Sequence, residues 1–474
     1  MLVCAVVILA SQVGLSVLSH TVENLSSGCA LPAVYIFTGL MTAAFAAYFA
    51  VVYLVIGRRR EGDATGWMIA AAVAFRLAAL AGEPLFDDDI YRYIWDGKVT
   101  AHGMNPYSHA PEAVLLPPFE QMAAAHAEPT AAIEMDRLDR LNDLWFEHPG
   151  EAALFSRINY PDVSTIYPPV AQAVFAAAYA ASPIGVGAVY GFKAAAALLD
   201  ILTVLLLISV LRKIGADPLF SIIYAWNPLV IKEIAGTGHM ESLTALLLMS
   251  SIYFVVARPQ MIASGIFLGL AAATKLFPWV VLPAVTMFFW RRAGVRSLLY
   301  VAAAVATFCA TYIPFLDAGL GLLFGARTYA NVWEMNAGFF YAVKAAVSLI
   351  STTDGATAAR TICLMSFVGL VLLVIRRCAG DERRLLGACA AITGGLFLLS
   401  PVQNPWYVCW FLPFVSLAPA RHWIALSGTA TFYYLYLALA ARGIEGGPWG
   451  WCVLSIQALP FALLLIAARR RCSR

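Results

Sequence analysis

Three consecutive aspartates, Asp87, Asp88 and Asp89, open a polar stretch in an otherwise apolar chain. Adjoining carboxyls beside a low-dielectric boundary cannot all ionise cheaply. At least one is therefore expected to be pushed into the pKa range that suits a general base. A calcium site, or a cap for a helix starting near Ile90, is the competing structural use of the same residues. Arg92, one helical turn after Asp88, can pair with that carboxylate or grip a phosphate bidentately. Lys275 lies in an apolar stretch, where an ammonium is costly unless it is paired or snorkels to an interface. His239 follows the turn Gly236-Thr237-Gly238 with Glu241 two residues on, and reads as a catalytic imidazole or a satisfied structural one. Gln403, Asn404, Trp406 and Tyr407 form a late polar-aromatic cluster, which either lines a site or anchors the chain at a membrane interface. The spacing HExxH is absent, so zinc is not called for. No phosphate-binding glycine loop and no nucleic-acid-binding pattern occurs.

These residues must be positioned by membrane-spanning helices. Of 474 residues, 61% are hydrophobic and 12% charged, whereas a soluble domain carries about a quarter charged residues. Apolar runs of about 18 residues or more recur, and the alternation of a β-barrel is missing. The expected class is an all-α polytopic membrane protein. Candidate spans cover 2–19, 33–57, 66–82, 190–211, 218–236, 240–257, 261–277, 278–290, 297–315, 358–376, 385–401, 405–420, 423–441 and 450–468. The first run lacks a basic leader and reads as a span rather than a cleaved signal peptide. Residues 169–186 read as a re-entrant or juxtamembrane helix, and 338–351 are ambiguous in the same way. The nine cysteines are scattered through or beside apolar segments, with no disulfide framework and no metal-type spacing.

Charge distribution then orients the chain. The net charge is only +3, yet 15 of 28 acidic residues fall between Glu83 and Asp162, with 5 Lys or Arg among them. Basic clusters separate the apolar runs elsewhere: Arg58-Arg59-Arg60, Arg212-Lys213, Arg291-Arg292, Arg376-Arg377, Arg383-Arg384 and Arg469-Arg470-Arg471. The positive-inside rule places them in the cytoplasm and the acidic loop outside. Under that topology the aspartates, His239, Glu241, Lys275 and the Gln403–Tyr407 cluster all reach the external face. The chain reads as one domain, 1–474, with a first external insertion at 83–168 and a second at 316–357. Within the first, Ile90–Ala101 and Ala131–His148 carry helical periodicity suited to a membrane surface.

The run DDDIYRYIWDGKVTAHGMNPY, Asp87–Tyr107, resembles the first external loop of GT-C membrane glycosyltransferases, most closely the bacterial branch of polyprenol-phosphate-mannose-dependent mannosyltransferases. IYPPVAQ (Ile166–Gln172), AWNPLVIKEIAGTGHMESL (Ala225–Leu243), ATKLFPWVVLP (Ala273–Pro283) and SPVQNPWYVCWFLPF (Ser400–Phe414) follow in the family's order. Two apparent spans precede the one that enters the acidic loop, whereas such enzymes often place that loop after their first span. The resemblance implies a GT-C-like bundle of roughly 11–14 transmembrane helices with external juxtamembrane helices. It implies an inverting transferase that moves a sugar, most simply mannose, from a polyprenyl-phosphate donor to a hydroxyl of a glycan, glycolipid or protein. The setting would be cell-envelope synthesis at the outer face of a bacterial inner membrane.

Counting back from Tyr91-Arg92 favours Asp88 as the base, with Asp87 next and Asp89 as the third candidate. Arg92, Lys275 and His239 would serve the donor phosphate. Glu241, Asn227, Tyr167, Gln403, Trp406 and Tyr407 would contact substrate. A lipid-phosphate leaving group lessens the need for a metal, so no cofactor is expected, although the aspartate patch has the chemistry to take a divalent ion. The alternative is a transporter or lipid flippase using the same charges, a class that usually shows internal repeats and helices broken at the midplane.

Overall fold

The computed structural model describes residues 1–22, 30–57, 63–115, 129–350, 355–377, 381–440, 442–443 and 448–472. The cluster Arg58-Arg59-Arg60 lies outside the described residues. Apolar backbone in a bilayer must satisfy its own N–H and C=O groups, which favours helices. Among the described residues the regular structure is accordingly helical, apart from one isolated bridge between Met335 and Val402. The chain is an all-α polytopic membrane protein.

Among the described residues, five helical segments are long and apolar enough to cross a membrane: Leu2–Ser19, Pro32–Gly57, Gly187–Lys213, Phe277–Ala318 and Gly355–Arg376. The pair Pro228–Gly236 and Glu241–Val256 makes a sixth if counted as one span, bent by 116° at its break. Thr65–Leu80, Pro169–Ala181 and Met261–Ala272 are apolar but shorter.

Several expected spans are broken into short pieces. In place of one helix over 218–236 stand Pro218–Ser221, Ile222–Ala225, Pro228–Ile231 and a π-helical turn, Lys232–Gly236. Proline at a first helical position, preceded by a side chain that caps, starts a new helix instead of continuing the last one. Asp217 accepts from the Leu219 N–H at 2.9 Å, and Asn227 accepts from Leu229 and Val230 at 3.1 and 3.2 Å. The expected spans 405–420 and 423–441 also divide, into Pro405–Trp410 and Leu412–Leu417, each with proline in its first two positions, then Arg421–Thr429 and Tyr433–Ala440. Trp226 and the Val408–Phe414 segment are buried at the centre.

The helix expected from Ile90 runs Asp89–Ala101, but it is no surface helix. Ile90 through Val99 are all buried, and it packs along Pro169–Ala181, where the Tyr93 and Phe175 rings stack 4.7 Å apart. Lys98 within it is buried and held by Glu151 at 2.7 Å.

A buried ion pair fixes the helix that delivers the aspartates. Arg76 on Thr65–Leu80 meets Asp200 of Gly187–Lys213 at 2.6 Å. Tyr224 donates to the other carboxylate oxygen at 2.6 Å, and the Ala225 carbonyl accepts from the guanidinium at 2.9 Å. Thr65–Leu80 starts beside the Arg212–Asp63 pair, 3.6 Å, and its far end leads to Asp87. The acidic site and the basic cluster Arg212-Lys213 therefore lie at opposite ends of this helix. Removing one partner strands a buried charge, so Asp200→Leu alone is expected to cost about 3–5 kcal/mol, and Asp200→Leu with Arg76→Leu to recover most of it. Unfolding in mixed detergent micelles measures both.

Candidate active site

The approach to the aspartates is a strained turn. Phe86 has φ of 61°, a left-handed conformation that costs a bulky residue energy and that packing must hold. Its ring is wedged against Phe37 at 5.5 Å and Tyr434 at 5.9 Å. Tyr160 and Asn336 share the conformation, with φ of 48° and 54°; Tyr160 lies next to Asn159, which binds Asp89. After the turn, the Asp87 carboxylate accepts from the Asp89 N–H at 3.0 Å, while Asp88, at the helix N-cap, makes no capping bond with its side chain.

The break in the bent helix supplies the imidazole. Gly238 has φ of 82°, a left-handed conformation that calls for glycine, and a Cβ there would also press on the end of the Ile90 side chain at 2.6 Å. His239 is fully buried and stacks on Trp406 at 4.1 Å. Its Nδ1 lies 2.8 Å from the Thr237 hydroxyl and 3.1 Å from the Glu233 carbonyl. Because Thr237 donates its own proton to that carbonyl at 2.7 Å, the network assigns a proton to Nδ1. Nε2 then faces Asp87 at 3.4 Å and Asp89 at 3.6 Å.

Behind the imidazole, Glu233 is bound by Lys232 at 3.2 Å and by the Tyr434 hydroxyl. In front, Asp89 accepts from Asn159 at 2.9 Å, and the Tyr93 and Tyr167 hydroxyls each stand 3.4 Å away. Lys275 is paired with Glu241 and lies 4.7 Å from the centroid of the Tyr407 ring. The Tyr407 hydroxyl meets that of Tyr329 at 2.7 Å.

The three aspartates, all outside the membrane-spanning helices, differ sharply. Burial and the charge of Asp89, acting against His239, push Asp87 up to about 8. Burial also acts on Asp89, but hydrogen bonds and charge from His239, the Asn159 amide and the Lys275 ammonium outweigh it and hold the carboxyl below the usual range. Asp88 is raised by burial against the opposing pull of Arg157. Its side chain is 48% exposed and lies 3.6 Å from Arg157. Asp88, favoured by sequence, thus pairs outward, while Asp87 and Asp89 turn toward His239. Of the two that face His239, Asp89, held ionised and 21% exposed against 6% for Asp87, is the one that a substrate can reach.

The structure brings together Asp87, Asp89, His239, Glu241, Lys275, Tyr167, Trp406 and Tyr407. It does not bring in Arg92, which turns forward to Asp96 at 2.8 Å and to the Val163 carbonyl at 2.9 Å. Asn227 is committed to capping and to Ser427 at 2.8 Å, and Gln403 to the Leu398 and Ser400 carbonyls at 3.0 and 3.3 Å. Trp406 and Tyr407 are buried against the site instead of anchoring the chain at an interface. Glu233, Lys232, Tyr434, Asn159 and Tyr93 went unforeseen. Only the adjacent charges Lys232-Glu233, set in an apolar run, offered a sequence signal.

Asp87, Asp89 and His239 offer ligand atoms within 4.8 Å of one another, a donor set able to hold a divalent ion. Glu147, His148 and Glu151 form a second such group, but there both glutamates already bind Lys98.

A family model described as alpha-(1->6)-mannopyranosyltransferase, N-terminal domain, matches residues 2–131. The chain is 30% identical over 79 residues to GPI mannosyltransferase 1 of Debaryomyces hansenii, 16% of this chain and 19% of that protein. It is 27% identical over 139 residues to GPI mannosyltransferase 1 of Candida albicans, 25% of this chain and 35% of that one. The matched segments thus span well under half of either relative. No solved structure matches. The model of glycosyltransferase family 87 matches residues 165–401, half of the chain. The chain belongs to glycosyltransferase family 87.

Proposed function

We propose that the protein is an inverting glycosyltransferase that moves a sugar, most simply mannose, from a polyprenyl phosphate to an acceptor hydroxyl. The observation that carries this reading is an ionised, reachable carboxylate, Asp89, beside a buried imidazole at the break of a spanning helix. Asp89 takes the proton of the acceptor hydroxyl as its oxygen attacks the anomeric carbon. The bond from that carbon to the phosphate oxygen breaks, and polyprenyl phosphate leaves with the electron pair. His239 fixes the orientation of the carboxylates, and Trp406 fixes that of His239. The mannosyltransferase names of the matched family model and relatives support the sugar, as does the ordered set of motifs. The basic clusters at one end of the helices and the carboxylates at the other support an outward-facing site in a bacterial inner membrane, serving envelope glycan or glycolipid synthesis.

Helix breaks lined with charge also occur in transporters. A transporter would carry the labelled lipid or sugar without changing it covalently, whereas a transferase yields a new glycosidic bond.

Asp89→Asn is expected to lower transfer from polyprenyl-phosphate mannose by about 10²–10⁴-fold, and Asp88→Asn by no more than a few-fold. The ranking is overturned if Asp88→Asn is the inactive variant. Excess chelator is expected to leave the rate unchanged, because a lipid phosphate needs no metal to leave; loss restored by a divalent ion would install one at Asp87, Asp89 and His239. Rates should fall at low pH as Asp89 protonates. Above about 8, ionisation of Asp87 adds a second negative charge, so kcat/KM for the anionic donor should drop again. Asp87→Asn should remove that alkaline limb, and a pH profile of both proteins checks it.

A further inference from the structure

A groove of about 650 Å³ opens beside the site, between the segment at Tyr107, the segment at Ser164 and the helix Gly321–Val332. That volume is in the range of small-molecule sites. The helix approaches closely because position 325 is glycine; a Cβ would come within 2.6 Å of the Thr165 carbonyl oxygen. Two buried hydroxyls in the lining, Ser108 Oγ and Ser164 Oγ, have no hydrogen-bond partner among the described residues. Ser164 is only 5% exposed. Unsatisfied buried donors are costly, and two of them in one groove point to a ligand rich in acceptors.

Across from them stand Arg327 and Asn331, both exposed. Among the described residues Arg327 has no acid partner. The remaining lining is apolar and open: Leu320, Phe324 and Val332 are largely exposed, as side chains facing lipid are. Hydroxyls, a guanidinium without an acid partner and exposed aliphatic and aromatic surface in one groove describe a site for an anionic amphiphile.

Charge decides which one. The cations around the carboxylates are already matched: Lys275 by Glu241, Lys232 by Glu233, Arg92 by Asp96, Arg157 by Asp88, and His239 faces Asp87 and Asp89. A phosphate placed there would meet no spare positive charge and several negative ones. The groove supplies the spare charge and is linked to the base through two tyrosines. The Tyr107 hydroxyl donates to the Tyr167 carbonyl at 2.7 Å, and the Tyr167 hydroxyl stands 3.4 Å from Asp89.

We propose that this groove is the seat of the donor lipid: Arg327, Ser108, Ser164 and Asn331 bind the phosphate of a polyprenyl-phosphate sugar, and its isoprenoid chain leaves over Leu320, Phe324 and Val332. The assignment rests on the donor class given above and replaces Arg92, Lys275 and His239 as phosphate ligands. On bond breaking, the electron pair goes to the phosphate oxygen, and Arg327 faces the charge that develops.

The test uses the full chain in nanodiscs of zwitterionic lipid, with sugar-free polyprenyl phosphate as the probe. Wild type is expected to bind it. Arg327→Gln should weaken binding about tenfold or more and Ser164→Ala a few-fold, while Arg327→Lys retains most of it. Because Arg327 is exposed and the Ser164 hydroxyl makes no hydrogen bond that alanine would lose, all three variants should melt as wild type does. Unchanged affinity in Arg327→Gln, with wild type binding, overturns the groove and leaves the donor class standing. Displacement of the probe by equimolar phosphatidylglycerol overturns it in favour of a general anionic-lipid site. No binding by wild type overturns the donor class and the groove with it.

Discussion

The site depends on a buried imidazole held from two sides. His239 is pinned behind by the Glu233 carbonyl and Thr237, and covered by the Trp406 ring. It turns its other nitrogen, Nε2, to two carboxylates. That arrangement separates the protonation of Asp87 and Asp89, which are only two residues apart. One is pushed up by burial, while the other stays ionised because its hydrogen bonds and neighbouring cations outweigh the same burial. A pair of acids split in this manner gives one base with one neutral neighbour. Without the imidazole Asp87 would be pushed further up, and Asp89 would lose the hydrogen bond and charge that hold it ionised.

Such a group requires the helix break. A continuous helix places side chains around its outside and has no room for a histidine facing a loop. The π-helical turn, the left-handed Gly238 and the 116° bend turn the chain back on itself. Backbone groups freed by the break find partners in Thr237 and in the imidazole itself. Short helices opened by Asp217-Pro218, Asn227-Pro228 and Asn404-Pro405 surround it. Irregular backbone of this kind is tolerated at membrane depth where protein covers it.

Much of this was legible in the sequence, for physical reasons that can be named. Asp87–Asp89, Lys275, His239 and Glu241 stood out because charge is expensive in an apolar chain. Trp406 and Tyr407 stood out because they sit with polar residues between two apolar runs. The choice among the aspartates was hidden. It depends on the left-handed turn at Phe86, which no local pattern marks, and that turn sends Asp88 to Arg157 instead of inward. Arg92 was ambiguous by symmetry, with acids four residues before and after it; tertiary packing selects Asp96. Asn159 and Tyr93 gain their roles only through contacts distant in sequence. Broken spans were missed because hydropathy counts apolar residues and is blind to where proline restarts a helix.

The most direct measurement supplies purified protein with labelled polyprenyl-phosphate mannose or labelled nucleotide-activated mannose, together with an extract of envelope acceptors, and identifies the product and its anomeric configuration. Transfer from the lipid-linked sugar alone, with inversion and dependent on Asp89, is the result expected. Transfer from the nucleotide sugar, retention of configuration, or movement of label across the membrane with no new glycosidic bond would contradict it.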